Sequence, residues 1–203
     1  MNKTLGCVIG VVVALVLLAV VVGVSVFGTY NGLVNRQQAV EAQWAQVENV
    51  YQRRADLVPN LVRTVQGAAD FEQQTLQNVI DARSRVGQMQ VSEEILNDPQ
   101  RFAQFEQAQD QLSSALSRLL VVVERYPQLR SVPAFQDLMV QLEGTENRIN
   151  VARTRYNEAV RDYNTSVRSF PANIMAGILG FDRRVPFEAE AGAEQAPTVD
   201  FDS

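Results

Sequence analysis

The 203-residue chain has no histidine and a single cysteine, Cys7. Without histidine there is no His-based triad, no Cys/His zinc site and no Glu-x-x-His pair of the kind that builds di-metal bundles. One cysteine excludes CxxC redox chemistry and any disulfide within the chain. The glycine-rich phosphate and dinucleotide motifs and the GxSxG nucleophile elbow are absent. Serines and threonines are scattered, with no base to activate them. A net charge of −5 argues against nucleic acid, which needs a basic surface. The sequence thus gives no reason to expect an enzyme, a cofactor, a metal, or any catalytic or cofactor-binding residue.

Charge is also missing locally. No charged residue lies between Lys3 and Arg36, and Leu5 to Phe27 is an unbroken apolar run. As a helix, 23 residues rising about 1.5 Å each span roughly 35 Å, enough to cross a hydrocarbon core of about 30 Å. The run is too long for a signal-peptide core, and Val26-Phe27-Gly28 is a poor cleavage site. Cys7 precedes the apolar region, the wrong order for a lipoprotein cysteine. An uncleaved single-pass anchor over residues 1–28 is therefore expected. Lys3 before it, against Arg36 balanced by Glu41 after it, favours a cytoplasmic N-terminus with the bulk of the chain outside the cytoplasm. Gly6, Gly10 and Ala14 are spaced by four, as are Ala19 and Gly23. Such faces let membrane helices pack closely and point to self-association.

Beyond the anchor, apolar residues recur at gaps of three and four, which predicts helix nearly throughout. Tyr30, Leu33, Val40, Trp44, Val47 and Tyr51 continue the anchor helix. Pro59 then interrupts the pattern, either as a turn with Asp56 capping a new helix or as a kink in one longer helix. Leu61, Val62, Val65, Ala69, Leu76, Val79, Ile80 and Val86 form the next stripe. Gly87 and Asn97-Asp98-Pro99 bracket a connection. Phe102, Phe105, Leu112, Leu116, Leu119 and Val123 form the third stripe, ending at Tyr126-Pro127. Ser131 and Pro133 read as the start of the last helix, with Phe135, Leu138, Leu142, Ile149, Ala152, Tyr156, Tyr163 and Val167 on one face. Four passes make an up-and-down bundle and return Phe170 to the membrane; three would leave it at the far end. The apolar stretch from Pro171 to Arg184 is either an interfacial segment or a flap over the end of the helices. Residues 29–184 thus form the expected helical domain, and the Glu-, Ala- and Asp-rich residues 185–203 a disordered tail.

Several charges fall in phase with the apolar stripes: Arg54, Glu72, Arg83 and Glu146. A buried charge is costly unless paired, so these should find partners. Helix rise over four antiparallel passes sets Glu72 level with Glu146, with Arg118 about a turn away. It sets Arg54 opposite Glu124, and Arg83 with Arg153 beside Asn157. The expectation is a set of internal polar layers that fix helix register.

These features together resemble the LemA family of bacterial membrane-anchored helical proteins. The stretches that carry the resemblance are TYNGLV (29–34), RRADLVPNLVRTVQG (53–67), Glu72, DARS (81–84), ERYPQL (124–129), ENRINVARTRYNEAVRDYN (146–164) and SFPANIMAGILGF (169–181). The resemblance implies an all-α fold: an N-terminal transmembrane helix followed by an up-and-down four-helix bundle, with a turn at Pro59. It implies no enzymatic activity. Some relatives are associated with magnetosome membranes. The family's recurrent residues map here to Arg54, Asn60, Glu72, Arg83, Glu124, Glu146, Arg153, Asn157 and Asn164, as a buried polar network or an interaction surface. The expected function is a non-catalytic scaffold or adaptor at the bilayer, with the chain itself or a membrane protein as partner. The alternative is an adaptor of a membrane protease or another quality-control complex.

Overall fold

A computed structural model describes residues 3–67, 72–89 and 93–188, and among these there is helix but no strand. The order is α1 (Lys3–Gln66), α2 (Gln73–Gln88), a 3-10 turn (Glu93–Leu96), α3 (Pro99–Val123), α4 (Pro127–Arg130), α5 (Pro133–Arg168) and α6 (Ala172–Leu179).

Helix α1 is continuous for 64 residues, about 96 Å at 1.5 Å per residue. It is the one helix among the described residues long and apolar enough to cross a membrane, and none of its apolar window is buried in the molecule. Pro59 is the one residue between Leu5 and Gln66 that cannot donate to the helix ladder; Gly6, Gly10, Gly23, Gly28 and Gly32 weaken the helix without breaking it. Gly10 and Ala14 are exposed on this stretch, whereas the surroundings of Gly6 lie outside the description, as does Ala69.

The turn expected at Pro59 is not there. Pro59 sits inside α1, and the first connection follows Gln66. A proline in a helix removes one N–H, so the carbonyl four residues earlier loses its partner. That carbonyl belongs to Ala55, and it accepts instead from Nε of Arg83 on α2 at 2.9 Å. The break in the ladder is repaired from the neighbouring helix, and α1 runs on. Asp56, expected to cap a new helix here, lies within α1 and accepts from Gln52.

Asp98 caps α3: its carboxylate accepts from the N–H groups of Gln100 and Arg101, with Pro99 in the first turn. Ser131 does not cap α5. Its hydroxyl donates to the Pro127 carbonyl and closes α4, and Val132 stands at the N-cap with Pro133 following.

Helix α5 packs along α1 in the opposite direction: Trp44 meets Tyr156, and Arg54 meets Glu146. Helix α3 runs with α1, as Trp44–Phe102 and Tyr51–Phe105 show. Helix α2 runs against both, with Arg83 on Ala55 and Arg85 on Gln111. Helix α5 therefore returns to the anchor end, where Tyr30 meets Phe181 edge-on at 6.0 Å.

The core has two parts. The half nearer the anchor joins Leu33, Val40, Trp44, Phe102, Phe105, Tyr156, Val160 and Tyr163. The distal half is mainly aliphatic, with Val58, Leu61, Val65, Val79, Leu112, Leu116, Leu119 and Leu142, and holds the Phe135 ring as well. The stripes read from sequence account for nearly all of these; Tyr30 and Ile80 are exposed instead.

Candidate functional site

Two polar constructions stand out against this core. The first lies between its halves. Arg54 is only 1% exposed and in phase with Tyr51 and Val58. Its Nη1 donates to Ser113 Oγ (2.6 Å) and Glu146 Oε1 (3.0 Å). Its Nη2 donates to Gln109 Oε1 (2.6 Å) and the Gln109 carbonyl (3.2 Å). The Tyr51 ring lies 5.0 Å from the guanidinium. The two terminal nitrogens of its planar fork let this one arginine of α1 bind α3 and α5 at once, at a level where any axial slip breaks several bonds.

Arg54 therefore pairs with Glu146, not with Glu124. The reason is α1's continuity: moving the first turn from Pro59 to beyond Gln66 shifts every height measured along α2 and α3. Glu72 consequently lies far from Glu146, 3.9 Å from Arg125, with both side chains largely exposed. Glu124 is exposed at the C-cap of α3. Arg83 serves Ala55 rather than meeting Arg153. Asn60 is exposed and accepts from Arg63.

The second construction joins Arg153, Asn157 and Asn164 on one face of α5. They hold Arg184 to Glu188, an extended strap that follows α6. Asn164 accepts from the Arg184 N–H (2.9 Å) and donates to the Arg184 carbonyl (2.8 Å). Asn157 does the same with Phe187, at 2.8 and 3.0 Å. Between them the Val185 N–H reaches the Leu96 carbonyl, and the Tyr156 hydroxyl donates to the Val185 carbonyl. Arg153 closes the row with a bond to the Glu188 carbonyl (3.3 Å) and an ion pair to Glu106 (3.2 Å).

The spacing explains the fit. Asn157 and Asn164 are two helical turns apart, about 10.5 Å, and three residues of extended chain cover about 10 Å. Neither asparagine reaches residues 185 and 186: Val185 bonds to Leu96 and Tyr156 instead, and Pro186 has no N–H to satisfy. Phe187 then inserts its ring among Trp44, Phe102 and Tyr156, with the Arg153 guanidinium 4.5 Å from its centroid. Arg184 is buried beside Asn97, Glu41 and the Tyr163 ring. Burial raises the phenol pKa values of Tyr156 and Tyr163, with Arg184 pulling both back. It also raises the Glu106 carboxyl, against the pull of Arg153.

A disordered tail beginning at Val185 is thus corrected for its first four residues, because Val185 and Phe187 have apolar sites to fill; residues 189–203 lie outside the described residues. Gln109, Ser113, Glu106, Arg184 and Phe187 were not anticipated from sequence. Gln109 had a visible signal, since it falls between Phe105 and Leu112 on the α3 stripe. Phe187 had one too, in the apolar Val-Pro-Phe ahead of the acidic residues.

The chain is 28% identical over 186 residues to Magnetosome protein MamQ 2 and to Magnetosome protein MamQ 1 of Paramagnetospirillum magneticum, covering 84% of this chain and 68% of each relative. It is 25% identical, over the same shares, to Magnetosome protein MamQ of Magnetospirillum gryphiswaldense. The LemA family profile matches residues 43–201, which include the Arg54 layer, the α5 row and the strap. The chain belongs to the LemA family.

Proposed function

We propose that this protein is a non-catalytic scaffold, anchored in a membrane by a single pass, that self-associates and organises membrane or membrane-protein complexes. The observation that carries this is the continuity of α1. The anchor and the core share one helix with no linker, so the orientation of the membrane segment is passed directly to the helical body. A rigid post of this kind suits assembly, where copies must keep a fixed relation to the bilayer and to each other.

In this reading α1 beyond the anchor, α2, α3 and α5 act as an up-and-down four-helix bundle. The N-terminus is cytoplasmic and the bundle extracytoplasmic. Gly6, Gly10 and Ala14 supply a close-packing face between anchors. Likeness to magnetosome proteins supports a part in membrane organisation.

A second reading, an adaptor for a membrane protease or another quality-control complex, is favoured by the α5 row. Asn157 and Asn164 grip an extended chain by its backbone, a chemistry that serves a protein partner as well as the chain's own strap.

Crosslinking in native membranes, followed by mass spectrometry of the adducts, separates the two. The scaffold reading expects a ladder of self-adducts. One recurring foreign protein at comparable amount, without that ladder, overturns it in favour of the adaptor. A stoichiometric metal in the purified full chain overturns both in favour of an enzyme.

A further inference from the structure

Helix α6 leaves an apolar stripe uncovered. Ile174 and Ile178 are spaced by four on it, 54% and 74% exposed, and Phe170, in the turn just before the helix, is 81% exposed. Leu179 beside them is exposed as well. The opposite face is occupied: Ala176 is buried, and Ala172 and Met175 pack against the core that includes Leu33. A solvated stripe of this kind, on a helix already held by its other side, needs a second apolar surface.

Its position says which. Helix α6 packs on both α1 and α5 at the anchor end, where Phe181 meets Tyr30. Leu33 is six residues past Phe27, the last residue of the apolar run. That is about 9 Å along α1, a distance that places α6 at the headgroup level beside a hydrocarbon core of about 30 Å. Phe27 is itself exposed, so the lipid-facing surface of the anchor continues toward the stripe.

Charge points the same way. On α1 the first charged residue after the anchor is Arg36, and on the returning side no charge occurs from Ser169 to Phe181. The two uncharged stretches lie side by side. Exposed Arg168 precedes the second, and exposed Asp182 and Arg183 follow it, so its charges sit only at its two ends.

We propose that α6 is a second membrane contact: a short helix lying in the interface, with Phe170, Ile174 and Ile178 in the acyl–headgroup boundary of the bilayer that α1 crosses. The continuous α1 fixes the body to the anchor, but a single spanning helix leaves the two together free to tilt and to rotate about the helix axis. A lateral foot beside it fixes both. The inference rests on the anchor and on α6, not on the scaffold reading, and it holds for a monomer or an oligomer alike.

The test uses the full chain in lipid nanodiscs. In a Cys7→Ser background, Ile178→Cys is labelled with an environment-sensitive fluorophore, and Val140→Cys, also exposed but toward the far end of α5, serves as the control. Both sites are at the surface, so folding is retained. The expected result at position 178 is a blue-shifted emission, loss of most intensity with quenchers carried near the lipid headgroups, and several-fold weaker quenching by aqueous iodide than at position 140. Position 140 should respond to iodide alone. A probe at 178 that behaves like that at 140 overturns the proposal. So does one shielded from iodide yet untouched by the lipid-borne quencher, since protein would then cover the stripe.

Discussion

The two halves of the core are built from the same helices by different means. In the distal half, α1, α2, α3 and α5 supply mainly valine and leucine side chains beside the Phe135 ring, and Val58, Leu112, Leu119 and Val65 are almost wholly enclosed. Toward the anchor α2 ends at Gln88, and α3 begins only at Pro99. Large rings and a peptide strap fill that space: Trp44, Phe102 and Tyr156 converge on Phe187, and Phe105 packs behind them on Trp44 and Phe102. The contrast shows that helix pairing alone closes one end, while the other is closed by a segment whose backbone bonds must be met by side chains. The Arg54 layer is the seam between them.

Cutting the seam should have the largest effect. Arg54→Ala removes four hydrogen bonds and strands Gln109, so we expect a loss of about 3 kcal/mol or more, read as a lower denaturation midpoint of the detergent-solubilised protein. Glu146→Ala should cost less, because its side chain is 41% exposed while Arg54 keeps Ser113 and Gln109. An unchanged midpoint in both would remove the seam from the account.

Next in size is Phe187→Ala. Loss of a buried aromatic costs roughly 3 kcal/mol where the surroundings cannot relax. Here the strap can undock, so protection lost in hydrogen exchange should be confined to the 3-10 turn, the strap and the α5 segment beneath it. Uniform loss across both halves would contradict their separation.

The distal half offers a smaller, sharper test. Arg83→Ala leaves the Ala55 carbonyl without its donor, at about 1–2 kcal/mol. In a Pro59→Ala background the restored backbone N–H reaches that carbonyl itself, so the same substitution should then cost almost nothing. A double-mutant cycle on unfolding free energies measures the coupling; equal costs in both backgrounds would mean that Arg83 does not repair the proline break.

The smallest effect concerns pH and belongs to the strap. Burial raises the Glu106 carboxyl above its ordinary 4.5, and Arg153 opposes this only in part. A carboxyl protonated more readily in the fold than in the unfolded chain costs stability while ionised. That cost is full above its folded value and is relieved as the pH falls through that value toward 4.5. The wild type should therefore gain slightly on Glu106→Gln as the pH is lowered from neutral, in paired thermal melts. A widening deficit would reverse the sign.

Periodicity reveals which residues are buried but not what they meet. Arg54 was legible as a charge on an apolar stripe, and the Tyr156-Asn157 and Tyr163-Asn164 pairs as a repeated motif on one face. Their partners were not legible, because Gln109, Ser113, Arg184 and Phe187 lie far away in sequence and their alignment depends on where the chain first turns. Taking Pro59 for that turn misplaced Glu124 and Glu72. The backbone carbonyl that decided the matter carries no sequence signal of its own.

The sequence by itself determined the apolar helix, the helical class and the stripes that became the core, because hydrophobic patterning and helix rise are local properties. Only the tertiary structure decided that α1 passes through Pro59, that Arg54 joins three helices, and that residues 184–188 lie against α5. Each of those depends on a donor or acceptor brought in from a distant segment, and a local pattern holds no record of which distant group will arrive.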